Sequence, residues 1–222
     1  VSVEFSRLSP HMEQGFPGNL ELKVRYSVTD DNQLIIKYHA VSDQDTVVNF
    51  TNHSYFNLSG HDSGSILDHK VWINSNSFTP TDDELIPTGE IADVTNTPMD
   101  FRELKALGKD IDADYTPLVI AGGYDHNYVL NKSIDGIERV AQLVDDKSGR
   151  VMDVYTDLPG LQLYTGNSIP TEKGKGGCTY QKRHGVCFET QYYPDNINQP
   201  SFPSSILRAG EAFSSTTIYR FS

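Results

Sequence analysis

Three stretches of the sequence hold side chains able to move protons near neutral pH. Asn52-His53-Ser54-Tyr55-Phe56-Asn57-Leu58 follows an apolar run and sets one imidazole among two amides and two aromatic rings. Imidazole is the side chain best suited to give or take a proton at that pH. In Val186-Cys187-Phe188-Glu189-Thr190-Gln191-Tyr192, Val186, Phe188 and Tyr192 share one face, which puts Glu189 and Gln191 on the other. A carboxylate in so apolar a run is costly unless paired, exposed or used. Gly122-Gly123-Tyr124-Asp125-His126-Asn127 places a carboxylate and an imidazole beside glycines that let the backbone turn tightly. Each stretch also has a plainer reading: a histidine satisfied by neighbouring amides, a carboxylate at an exposed sheet edge, a turn that launches the next strand. The alternation of Leu161-Gln162-Leu163-Tyr164 sets Gln162 and Tyr164 together, opposite the two leucines.

Other chemistries lack their residues. His53, His61 and His69 are spaced too widely for a local chelate and no Cys/His cluster has zinc spacing, so no metal is expected. No G-x-S-x-G elbow occurs, and the glycines near Lys175 lack the G-K-[ST] ending of a phosphate loop. Cys178 and Cys187 read as free thiols, Cys187 buried beside Glu189.

The elements that must position these groups are strands. In Leu20–Val28 every even position is apolar and every odd one polar, the pattern of a half-buried strand. Asp30-Asp31-Asn32 supplies turn chemistry, and Leu34, Ile36, Tyr38 and Ala40 begin the return strand of a hairpin. Further strands are predicted over Val47–Thr51, His69–Ile73, Asn127–Leu130, Glu138–Val144, Val151–Thr156, Gln162–Thr165, Gly185–Tyr192 and Thr216–Phe221. One short helix is predicted, with Thr97 as N-cap and Pro98 first, running through Phe101–Leu107 to a stop at Gly108. Strands do not alternate with long helices, so the fold class is all-β: one large antiparallel β-sandwich over residues 1–222, without internal linker or repeat.

Composition narrows the partners. The 222 residues carry 18 Lys+Arg against 30 Asp+Glu, a formal net charge of −12, which argues against nucleic acid and anionic membrane surfaces alike. With 37% hydrophobic residues, including 12 Tyr and 10 Phe, a real core is available. No stretch reaches the length of a membrane span. Two cysteines cannot build a disulfide framework, so a reducing, cytoplasmic setting is expected.

Taken in chain order, the three motifs resemble those of the aldose 1-epimerase (galactose mutarotase) family. The resemblance runs along nearly the whole chain. It includes Gln14-Gly15-Phe16-Pro17-Gly18-Asn19-Leu20, Thr51–Leu58, Ile86-Pro87-Thr88-Gly89 and Gly123-Tyr124-Asp125-His126. It continues in Tyr164-Thr165-Gly166-Asn167, Phe188-Glu189-Thr190-Gln191 and Leu207-Arg208-Ala209-Gly210-Glu211.

The resemblance implies a supersandwich whose concave sheet face binds a hexose, and interconversion of α and β anomers of sugars such as galactose and glucose without metal or organic cofactor. It implies Glu189 as the base at the C1 hydroxyl and His53 as the acid at the ring oxygen. Asp125 and Gln162 would hold sugar hydroxyls, and Tyr55 is expected to line the site. Two groups flanking one O–C–O unit should have tips about 5–8 Å apart, given hydrogen bonds of roughly 2.6–3.2 Å. The family's stretch before the Gly-Phe-Pro-Gly motif, with a sugar-binding Arg and His, has no counterpart here. The chain is therefore expected to be the C-terminal part of the domain, completed by an N-terminal segment or a second chain, with an unpaired sheet edge and exposed apolar surface. Two alternatives stand: a non-catalytic carbohydrate-binding module of the same fold, and an epimerase of phosphorylated hexoses, which the acidic composition disfavours.

Overall fold

The computed structural model describes every residue of the chain except Ile134. Two antiparallel sheets dominate. The larger runs in the order Ser2–Ser9, Leu20–Val28, Gln33–Ser42, Ala212–Phe221, Arg150–Thr156, Glu138–Asp145, Lys70–Ile73, Lys105–Ala106. The smaller runs Cys187–Gln191, Gly160–Tyr164, Asp125–Leu130, Ser75–Thr79, Ala92–Asp93.

Alternation decides what each face does. From the larger sheet, Ile36, Val71, Leu143, Val154 and Tyr219 point inward and meet Phe78, Tyr128, Leu161, Leu163 and Phe188 of the smaller one in a single core. Two polar contacts tie the layers inside that core. The Tyr219 hydroxyl donates to the Phe188 carbonyl at 2.7 Å, and the Thr190 and Thr217 hydroxyls meet at 2.5 Å. Phe188 and Thr190 therefore face inward, and Cys187, Glu189 and Gln191 are turned to the opposite face.

The hairpin forms as the alternation predicts: Leu20 pairs with Ser42 and Val28 with Leu34. Most of the remaining predicted strands are present within a few residues of their expected ends. Val47–Thr51 is not; only Thr46–Val47 pairs, with Ile206–Leu207. Val48 N–H still donates to the Ser205 carbonyl at 2.9 Å, but the Asn49 side chain turns to Tyr192, donating to its carbonyl and accepting from its N–H, both at 2.9 Å.

The helix predicted over Phe101–Leu107 does not form. Lys105–Ala106 is instead a strand paired with Lys70 and Val71, and the Ile73 N–H donates to the Phe101 carbonyl at 2.9 Å. Thr97 accepts from the Met99 N–H at 3.1 Å and donates to the Val94 carbonyl at 2.7 Å, which closes a turn rather than capping a helix. Met99, Phe101 and Leu107 are all buried in the core, spread along an extended segment that pairs with the neighbouring strand. The α-helix present is Thr116–Ala121, with Pro117 in its first turn and Gly122 ending it at φ 66°.

The strand Ser2–Ser9, which the sequence pattern does not reveal, forms one edge of the larger sheet. Its Val3 and Phe5 are 50% and 60% exposed, so an apolar edge faces solvent. Among the described residues no helix is long and apolar enough to cross a membrane.

Candidate active site

The smaller sheet presents its polar face as two rows. In one, Asn127, Gln162 and Glu189 stand side by side; in the next, Asp125, Tyr164 and Cys187 do so. This follows from register: the intervening residues, Leu163, Phe188 and the buried His126, face the core, so the core fixes which residues point the other way. Gln162 Nε2 donates to Asp125 Oδ1 at 2.8 Å, and Gln191 Nε2 lies 3.2 Å from both Gln162 Oε1 and Asn127 Oδ1. Gly160, opposite Gln191, makes room for this network: a Cβ there would fall 2.5 Å from Asn127 Oδ1.

Asp125 owes its place to the glycines before it. Gly123 has φ 143°, and a Cβ on it would fall 2.3 Å from Asn167 Oδ1. That amide is committed, its Nδ2 donating to the carbonyls of Ala121 and Tyr124. His126, next in sequence, turns to the core, where its edge meets Phe78 and burial holds it down to about 4, so it is structural.

His53 reaches the face from a loop. Phe56 and Val186 exchange both backbone hydrogen bonds, pinning the loop to the residue just ahead of the Cys187–Gln191 strand. Asn52 and Asn57 serve the backbone: Asn52 Oδ1 accepts from the Ser54 N–H, and Asn57 Nδ2 donates to the carbonyls of Gly64 and His184. The amides are therefore scaffold, and the imidazole is left to the face. It stacks beside Tyr55 and edge-on to Tyr164, with centroids at 5.0 and 5.8 Å. Its Nε2 lies 3.4 Å from Glu189 Oε1.

Glu189 is on an edge strand yet buried. Its side chain is 9% exposed against 49% for His53. Burial first and the nearby Asp125 second push its carboxyl up from 4.5 to about 7. Burial also raises Asp125, opposed by the Gln162 hydrogen bond and by His53. A carboxyl poised near neutrality against an imidazole can pass a proton in either direction. The 3.4 Å gap is shorter than the about 5–8 Å that an O–C–O unit between the tips requires. His53, on a loop, is the more exposed of the two.

The aldose 1-epimerase family model matches residues 1–220. The chain belongs to the aldose 1-epimerase family. Galactose mutarotases of Bos taurus and Homo sapiens are each 46% identical over 221 residues, covering 99% of this chain and 63% of their own length. An aldose 1-epimerase of Escherichia coli is 37% identical with the same coverage. A crystal structure of a GalM/aldose epimerase homologue from C. elegans superposes with a TM-score of 0.89 at 32% identity, covering all of this chain and 65% of that one. The chain thus spans about 63% of the length of these curated relatives.

In this aldose 1-epimerase family chain the predicted site residues His53, Tyr55, Asp125, Gln162 and Glu189 converge on one face. Tyr55, half exposed, packs against both His53 and Tyr164. It also helps line a neighbouring cleft of about 870 Å³. Sequence pattern alone assigns no site role to Tyr164, Gln191, Asn127 or Cys187, although the alternation that sets Gln162 and Glu189 on this face carries them with it. Cys187 Sγ lies 3.4 Å from His53 Nδ1. Sulfur, imidazole and carboxylate thus offer donor atoms within 4.8 Å of one another, a grouping that local spacing along the chain cannot reveal. Sulfur and carboxylate sit at opposite ring nitrogens, Cys187 Sγ at Nδ1 and Glu189 Oε1 at Nε2.

Proposed function

We propose that this chain carries the acid–base pair of a hexose 1-epimerase acting on sugars such as galactose and glucose. The observation that carries the reading is the contact between His53 and a buried Glu189 raised to about 7, beside an Asp125–Gln162 pair able to hold sugar hydroxyls. Glu189 takes the proton of the C1 hydroxyl while His53 Nε2 delivers one to the ring oxygen. The bond from C1 to the ring oxygen breaks and the C1 carbonyl forms. Rotation about C1–C2 and reclosure with both transfers reversed yields the other anomer, so acid and base exchange roles and no group is consumed. Asp125 contributes charge-assisted hydrogen bonds to hydroxyls, and Tyr55 and Tyr164 supply apolar walls. Polarimetry on freshly dissolved α-galactose tests this: catalysed decay of rotation supports the epimerase, and sugar binding without it leaves a binding module.

The chain is, on our reading, one part of a longer sandwich. That rests on the exposed apolar edge, where Phe5 packs against Tyr26 yet, like Val3, stays half or more exposed. Hydrogen exchange at Ser2–Ser9 should be slower in the full-length protein than in residues 1–222 alone; equal rates would contradict it. Two free thiols suit a reducing, cytoplasmic compartment.

A further inference from the structure

Cys187 and Glu189 alternate on one strand, with Phe188 between them facing the core. The imidazole of His53 is held between these two side chains, Nδ1 at 3.4 Å from Cys187 Sγ and Nε2 at 3.4 Å from Glu189 Oε1. Among the described residues these are the polar contacts of the ring. We propose that Cys187 is a positioning residue for His53, its sulfur accepting the Nδ1–H so that Nε2 alone exchanges the proton.

The placement of the sulfur rests on geometry, and its consequence for turnover rests on the epimerase reading. A histidine that gives and regains a proton at Nε2 alternates between imidazolium and the neutral Nδ1–H form. Nδ1 keeps its hydrogen throughout and needs an acceptor in both states. A thiol sulfur can accept in both, and Cys187 is fully buried, so the sulfur is fixed in place. Burial, with Glu189 and Asp125 nearby, keeps the thiol protonated and uncharged. A carboxylate there would stabilise the imidazolium and weaken it as an acid; neutral sulfur orients the ring without that penalty. With the opposite tautomer, Nε2–H, the neutral ring would have no proton-accepting site toward the sugar. The ionisable groups around the ring are Asp125, Glu189, Cys187, Tyr55 and Tyr164.

The test is the ring tautomer, read by two-bond proton–nitrogen NMR in the full-length protein labelled with ¹⁵N-histidine, His53 being identified by loss of its signals in His53→Asn. The wild type should show Nδ1–H in the neutral ring. Cys187→Ala should lose that preference and lower kcat roughly tenfold with KM little changed, short of the ~10²–10⁴ lost with a transferring group itself. Cys187→Ser, whose hydroxyl also accepts, should restore the tautomer and most of kcat. An Nε2–H ring in the wild type, or an Nδ1–H ring with full kcat in Cys187→Ala, overturns the proposal. Should the alanine variant not fold, the wild-type and serine spectra decide alone. The tautomer is read without turnover, so its result is separable from the fate of the epimerase reading.

Discussion

His53 Nε2 stands 3.4 Å from Glu189 Oε1, the imidazole on a loop and half exposed, the carboxyl on a sheet edge and buried. On the proposed reading, that inequality fits the two roles. The buried group is the one whose ionisation burial opposes, so it becomes a stronger base than an ordinary carboxylate, while the ring is the one open to a sugar's ring oxygen.

Because Glu189 must be ionised to act as base, kcat/KM should rise with pH through about 7. Asp125 is the second cause of that elevation, so Asp125→Asn should move the rising limb to lower pH while raising KM. A limb near 4.5 in the wild type, measured by polarimetry across buffers, would contradict the burial argument.

The same shift has a cost in stability. A carboxyl raised in the fold binds more protons folded than unfolded between 4.5 and about 7, so stability falls as pH rises through that window. Glu189→Gln removes the cost, on the order of 3 kcal/mol at about pH 8 at most. Thermal melts should therefore show the variant more stable than wild type at about pH 8, with the gain gone near about pH 4.

Gly160→Ala should disturb the binding network, and it also presses on the buried Tyr193 ring at 2.8 Å, so a thermal melt must accompany the kinetics. Its Cβ would press on Asn127 Oδ1 at 2.5 Å and the Gln191 carbonyl at 3.1 Å, breaking the chain that ends on Gln162. KM should rise about fivefold, the worth of one hydrogen bond near ~1 kcal/mol, with kcat less changed. Steady-state kinetics decide: an unaltered KM removes the network from sugar binding.

Strand alternation makes much of this face legible in the sequence. Once Phe188, Leu161 and Leu163 are read as inward, Glu189 and Gln162 must point the other way. What alternation cannot supply is which strands are neighbours, so it does not bring Cys187 to His53 or Gln191 to Gln162. Local signals mislead at Phe101–Leu107, where capping residues and a glycine suggest a helix. There the pairing of Lys105–Ala106 with Lys70–Val71, a long-range contact, overrides local preference. The strand Ser2–Ser9 escapes detection because its apolar residues break period: Val3 and Phe5 lie on one face and Leu8 on the other.

The most direct measurement is enzyme-dependent mutarotation of α-galactose by the full-length protein with Glu189→Gln. The substitution keeps the side chain's size and its contact with His53 while removing the base, so kcat should fall by about 10²–10⁴. An undiminished rate would contradict the account.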